Sequence, residues 1–173
     1  EERRRFIDYT ISQLDADYLQ VLIDYNKILQ QRNSLLKQAA ENGALDEGLM
    51  DILSDQLTGR GNIIYTKRRQ FADEFIPVAI DLYNKISGSK EKITINYISN
   101  LQSAPFKKIL IQNRPKDLAL QRTTKGVHRD DLELMLDGDI FKGMASQGQR
   151  KSLLLALKLA EFERLLKHKE FPP

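Results

Sequence analysis

The sequence has no cysteine, so disulfides, thiolate zinc sites and cysteine nucleophiles are excluded. Its two histidines, His128 and His168, are too few for a histidine-rich metal centre. Long apolar runs are missing too. The longest, Leu153 to Leu157, falls far short of the roughly 18 residues a membrane-spanning helix needs. No N-terminal stretch joins a basic start to an apolar centre, the pattern of a signal peptide. The Gly-x-x-x-x-Gly-Lys-Ser/Thr loop that grips nucleotide phosphates is absent, and so is an apolar strand ending in paired carboxylates. What is present is ordinary: 173 residues, 41% hydrophobic and 29% charged. That composition argues against a disordered tail and suits one domain, or one domain with an arm. The chain opens on Glu1-Glu2-Arg3 and closes on Phe171-Pro172-Pro173, which reads as an excised piece or a processed product.

The net charge of +3 is unevenly spread. Residues 1–100 carry 13 Lys/Arg against 15 Asp/Glu, and residues 101–173 carry 14 against 9. A basic half can attract phosphate or nucleic acid. Without a dense stripe of cations, charge alone reads as a solvated surface.

The first hundred residues read as helix. Tyr18, Leu22, Tyr25, Leu29 and Leu36 draw one stripe, with Asp15 as the cap. Arg3 to Leu14 reads as a shorter lead-in helix. Asn42-Gly43 interrupts the pattern, as a left-handed C′ glycine does. A second stripe follows through Leu49, Leu53, Leu57, Ile64, Phe71, Phe75, Val78 and Leu82, weakened by Gly59 and Gly61 and kinkable at Pro77. Two such helices joined by a short turn form an antiparallel hairpin, with the stripe through Tyr18 to Leu29 set against Phe71 to Leu82. The helix ends at Ser87-Gly88-Ser89, and the boundary between arm and body falls near Ser87 to Lys90. Lys92 to Ile98 alternates as a strand does. Pro105 to Gln112 reads as a short helix and Pro115 as the start of another. Strand character returns from Arg122, with Leu132, Leu134 and Leu136 alternating, a turn at Asp137-Gly138 and a return through Ile140-Phe141-Lys142. Ser146 to Lys169 is a strong helix.

Two motifs can carry chemistry. Ala145-Ser146-Gln147-Gly148-Gln149-Arg150-Lys151-Ser152 opens an apolar helix. Ser146 with Gln149 three residues on makes a capping box. The same turn offers an anion site, with free amides, a positive dipole end and no side chain at Gly148 to obstruct a phosphate. The two readings are compatible. The second motif is Gly126-Val127-His128-Arg129-Asp130-Asp131-Leu132. Adjacent aspartates on a strand point to opposite faces, which argues against a shared carboxylate site. A structural turn, with Arg129 paired to a carboxylate, is the simpler reading, and no metal is assigned.

These two motifs in tandem, followed by Leu155-Ala156-Leu157-Lys158-Leu159-Ala160-Glu161, resemble the RecF family of bacterial DNA replication and repair proteins. Weaker matches lie at Gln31-Arg32-Asn33, Asp55-Gln56-Leu57 and Tyr97-Ile98-Ser99, so the resemblance runs along nearly the whole chain. It implies an ABC-type ATPase head related to the SMC proteins, with a Walker A loop upstream of this stretch and a Walker B strand beginning about Phe171. The implied fold is α+β and mostly helical. A long antiparallel helical hairpin arm, 1–89, turns near 42–44 and joins part of the ATPase head, 90–173, with a few strands and the signature helix.

The implied function is ATP-dependent DNA binding in replication, recombinational repair and the SOS response. It would act in the cytoplasm at DNA gaps and at junctions of single and double strands, with the RecR and RecO proteins. The whole protein would be an ATP-dependent homodimer and a weak DNA-dependent ATPase using ATP and Mg2+, and this stretch alone would be inactive. Ser146, Gln147, Gly148 and Gln149 would meet ATP held by the opposite subunit, Ser146 and Gly148 at the γ-phosphate. Arg150 and Lys151 are flanking candidates for phosphate or DNA, and no catalytic residue is assigned. The sequence follows the family's Ser-Gln-Gly-Gln form, where most ABC proteins have Ser-Gly-Gly-Gln. Two other readings stay open. One is a segment of a different SMC-like head with a shortened arm, since two helices of roughly 25 and 40 residues reach at most ~60 Å and chromosome-scale SMC arms are far longer. The other is a helical protein-interaction module without a nucleotide role.

Overall fold

The computed structural model describes residues 1–88 and 91–168. Ser89 and Lys90, where the expected arm boundary falls, and Phe171 to Pro173, where a Walker B strand was expected to begin, lie outside the described residues. Helix α1 spans Glu2–Ser12 and α2 spans Ala16–Asn42. The Asp15 carboxylate accepts the Tyr18 N–H at 2.9 Å and so caps α2. Gly43, with φ +70°, ends it in the left-handed conformation that glycine adopts without strain. Helix α3, Glu47–Ser87, starts after Asp46, whose carboxylate accepts the Leu49 N–H. The helical hairpin therefore turns over 43–46. Helix α3 runs unbroken through Gly59, Gly61 and Pro77. Gly61 has a packing reason, since a Cβ there would lie 2.7 Å from Cδ1 of the Phe106 ring.

The chain forms two compact units. The hairpin unit comprises 15–68 and 99–130; the sheet unit comprises 1–14, 69–98 and 131–173. In the hairpin unit, α2 and the first half of α3 run antiparallel. Arg32 Nε donates to Ser54 Oγ at 3.4 Å, Arg68 Nε donates to the Tyr18 hydroxyl at 3.3 Å, and Lys67 pairs with Asp15 at 2.8 Å. Helix α4, Phe106–Ala119, packs on them through the pairs Lys107–Asp55 and Arg114–Glu47. Tyr25, Leu36, Met50, Leu57, Phe106 and Leu110 are buried in its core.

Two expectations fail here. Helix α4 is one helix, not two, with Pro115 inside it. Pro115 and Ile111 are both exposed, so the turn that proline interrupts lies at the surface of the helix. The second concerns the paired stripes: Phe71 to Leu82 falls in the sheet unit and Tyr18 to Leu29 in the hairpin unit. With 27 residues against 41, α2 covers only part of α3 and starts opposite Lys67 and Arg68. Past that point α3 belongs to the sheet unit. There Phe75 meets Phe6, with ring centroids 5.6 Å apart, and stacks on Phe71 at 4.9 Å.

The sheet unit holds strands β1, Ile93–Ile98, β2, Asp131–Leu136, and β3, Asp139–Ile140, antiparallel in that order. Ile93, Ile95 and Tyr97 oppose Leu136, Leu134 and Leu132, which puts the apolar residues of both strands on one face. Asp137 and Gly138, both at positive φ, make the expected two-residue turn. The expected return through Lys142 is cut to two residues, because α5, Phe141–Met144, begins at once. The stretch from Arg122 is a turn with a 3-10 segment at Val127–Arg129, and the strand starts only at Asp131. Helix α6, Gln147–His168, buries Leu153, Ala156 and Ala160. Among the described residues no helix is long and apolar enough to cross a membrane.

Candidate functional site

The turn that opens α6 forms the capping box read from the sequence. Gln149 N–H donates to Ser146 Oγ at 3.2 Å, and Ser146 N–H donates to Gln149 Oε1 at 2.6 Å. The Arg150 N–H reaches the Ser146 carbonyl at 3.0 Å. Helix geometry leaves the first N–H groups without carbonyl partners, and those of Gln147 and Gly148 remain open donors among the described hydrogen bonds. Ser146, Gln147 and Gly148 are exposed, and Gln149 is half-buried. A Cβ on Gly148 would meet only Ser146 Oγ, at 3.8 Å. Packing therefore supplies no reason for glycine there, although glycine costs about 1 kcal/mol in a helix relative to alanine. The space over the turn is open to an incoming group. Arg150 is directed elsewhere, its guanidinium donating to the Lys142 carbonyl at 3.0 Å. Lys151 is exposed.

The Gly126 to Leu132 motif builds structure. Gly126 sits at φ +136°, and a Cβ there would lie 2.8 Å from Phe106 Cζ and from the Tyr25 hydroxyl. His128 Nε2 donates to the Thr123 carbonyl at 3.1 Å, which leaves Nδ1 to accept from the Tyr25 hydroxyl at 2.8 Å. Burial pushes the Tyr25 phenol far above its ordinary range, so it remains a donor. Asp130 is buried and pairs with Arg68 at 2.8 Å, while Asp131 pairs with Arg3 on the other unit's surface. The expected partner, Arg129, is exposed and takes neither carboxylate. The pairing partners lie 62 and 128 residues away, so no local signal could have found them. Among the described residues no group of three or more His, Asp or Glu side chains could hold a metal ion.

Arg32, in one of the weaker matching stretches, is buried against Asp117 at 2.9 Å and Thr123 at 2.7 Å. Asn33 accepts both the backbone N–H and the hydroxyl of Thr123. These residues hold the hairpin unit together. The Ser146 turn alone among the singled-out motifs faces outward with unused donors.

Comparison with known proteins decides what kind of chain this is. It is 42% identical over its whole length to the DNA replication and repair protein RecF of Porphyromonas gingivalis, and 43% identical to that of Flavobacterium johnsoniae. The matches cover 47% and 48% of those two proteins. A solved structure of the recombination mediator protein RecF-ATPrS in the RecFOR pathway superposes with a TM-score of 0.89 at 31% identity, over 99% of this chain and 48% of that one. Along its whole length the chain matches proteins of the RecF family. It spans about half the length of the curated RecF relatives it matches. A second RecF structure, described as RecF-ATP, superposes with a TM-score of 0.88. No family model matches the chain. The RecF match extends over both units, so the mostly helical α+β fold with its small antiparallel sheet is that of part of RecF.

Proposed function

We propose that this chain is part of an ATP-dependent DNA-binding protein of replication and recombinational repair, and that Ser146 to Gln149 form its ABC-type signature. The observation that carries the reading is the exposed, capped start of α6, with the Gln147 and Gly148 N–H groups open and no side chain above Gly148. A phosphate fits such a helix start, because oriented amides and the positive dipole end attract it. Bound ATP supplies the γ-phosphate whose transfer to water drives turnover. This chain's part is to orient that phosphate. Ser146 Oγ and the open amides face it, Gln149 keeps the first turn wound, and Gln147 frames the approach. Lys151 adds positive charge at the rim, with Arg150 as a second flanking group. The phosphate-gripping loop and the Mg2+ ligands are assigned to the rest of the protein, as is the opposite subunit of an ATP-dependent homodimer. DNA gaps and strand junctions, the RecR and RecO proteins, a cytoplasmic location and a division into an arm, 1–89, and a head segment, 90–173, belong to the same proposal. The RecF relatives, known as replication and repair proteins and as RecF-ATP in the RecFOR pathway, support it.

The test is Ser146→Arg in the full-length protein that carries this chain. The long side chain should block the phosphate and abolish ATP hydrolysis. Losing the cap should cost only about 0.5–2 kcal/mol of stability. Near-normal hydrolysis in a stably folded variant would remove the signature role from this turn. A purely structural cap predicts that reverse pattern, with lower stability and normal turnover.

A further inference from the structure

The hydrogen bonds of Gln149 extend beyond its own turn. While Oε1 accepts the Ser146 N–H, Nε2 donates to Glu91 Oε1 at 2.7 Å. The other oxygen of Glu91 accepts the Tyr83 hydroxyl at 2.9 Å. Tyr83 is fully buried near the end of α3, and Glu91 stands just before β1. The three side chains come from places 66 residues apart in the chain at their widest, yet form one continuous relay ending on the Ser146 amide. All of them lie in the sheet unit.

We propose that Glu91, held by Tyr83, is a positioning residue for the signature turn. The proposal rests on the signature reading of Ser146 to Gln149. A capping box needs only Ser146 and Gln149, so the cap does not account for the other two residues. A carboxamide has two ends of similar shape and opposite hydrogen-bonding character. Reversed, the Gln149 side chain would set its NH2 against the Ser146 N–H, donor against donor, and the turn would lose its closing bond. An ionised carboxylate accepts and never donates. Glu91 therefore admits only the nitrogen end of Gln149 and turns the oxygen end toward Ser146. Tyr83 occupies the second carboxylate oxygen and keeps the group from swinging away. Burial and the neighbouring Glu91 push the Tyr83 phenol up to about 12, so this donor keeps its proton across the working range. Through these bonds the Ser146 hydroxyl and the open amides of Gln147 and Gly148 are held in one arrangement before nucleotide arrives, which is preorganisation of a phosphate-receiving turn.

The experiment compares Glu91→Gln, Tyr83→Phe and Ser146→Arg in the full-length protein. Glutamine at position 91 removes the polarity that the relay imposes, because its amide donates as well as accepts and the Tyr83 hydroxyl accepts from an NH2, so Gln149 is no longer forced to present its nitrogen end. Readouts are kcat and KM for Mg-ATP, binding of Mg-ATP to the nucleotide-free monomer, and its melting temperature. Ser146→Arg should abolish turnover. Glu91→Gln and Tyr83→Phe should each lower kcat about tenfold, the scale of one hydrogen bond to a charged group. Monomer nucleotide binding should stay unchanged, because the gripping loop is untouched, and the melting temperature should stay near that of the parent. Wild-type turnover in Glu91→Gln and Tyr83→Phe beside an inactive Ser146→Arg would overturn the positioning role and leave the signature reading standing. Losses of turnover that only track a falling melting temperature would overturn it as well, since they report damage to the fold. An active Ser146→Arg would take away the signature reading itself, and the positioning role with it.

Discussion

Asp130 and Asp131 are neighbours in the chain, yet their side chains end in opposite circumstances. Asp130 belongs to the hairpin unit and pairs with Arg68, the two side chains being 1% and 2% exposed. Asp131 belongs to the sheet unit and pairs with Arg3, at 38% and 43% exposed. The difference runs through both units. The hairpin unit keeps charge inside, with Arg32 on Asp117 as a second buried pair and Ser54, Thr123, Tyr18 and the Val127 carbonyl as further partners. The sheet unit carries the Ser146 turn at the surface with donors unspent. Desolvation offsets much of what a buried pair gains, so such pairs are poor net stabilisers and are costly to break. Their effect is to specify which helix lies where, because only one arrangement satisfies every buried group. The exposed turn keeps its Gln147 and Gly148 amides outside any such network, and they remain available to a ligand.

Removing one buried partner should break the comparison most sharply. Arg68→Ala leaves Asp130 charged, buried and without this guanidinium, and should cost about 3–5 kcal/mol. Urea unfolding of the chain would measure it, and a loss of under about 1 kcal/mol would place this pair among surface ones. Gly126→Ala should have the next largest effect. Its Cβ would press on Phe106 and Tyr25 at a positive φ, and overpacking of this kind costs roughly 1–3 kcal/mol. A second variant, Lys125→Ala, controls for general sensitivity of the loop and should change stability by less than about 0.5 kcal/mol. Breaking Arg3 from Asp131 should matter least, at about 0–1 kcal/mol, because water screens a half-exposed pair.

That last pair also sharpens the contrast by its pH dependence. Burial alone would raise the Asp131 carboxyl, but the hydrogen bond and charge of Arg3, with the Leu132 N–H, outweigh it and hold the group below its ordinary value of 3.8. A depressed acid contributes stability that is present above its unfolded value and lost as pH falls through its folded value. The difference between the parent chain and Arg3→Ala should therefore be complete at neutral pH, begin to shrink near pH 3.8 and vanish once the pH has fallen through the depressed folded value. Acid titration of unfolding in the two proteins would show it, and a difference that persists at lower pH would assign the effect of Arg3 to packing.

The contrast between the units follows the contrast between what the sequence determined and what only the tertiary structure decided. Features that rest on residues within four of one another were legible. Asp15 caps α2, Gly43 ends it, Ile93 to Tyr97 and Leu132 to Leu136 alternate, Asp137-Gly138 turns the chain, and Ser146 with Gln149 closes the first turn of α6. Each is dictated by local backbone geometry and short side-chain reach. The family resemblance was legible for a similar reason, since its most specific motif is such a local turn. Arg68 on Asp130, Arg32 on Asp117 and Gln149 on Glu91 span 62, 85 and 58 residues, and nothing in the local pattern distinguishes these charged or amide groups from solvated ones. Helix α4 continues through Pro115, with Pro115 and Ile111 both at the surface. Helix α3 outran α2 because the two lengths differ, so its far half found a core with α1. Long-range pairing depends on which surfaces meet after burial has ordered the helices, and that ordering is a property of the packed chain.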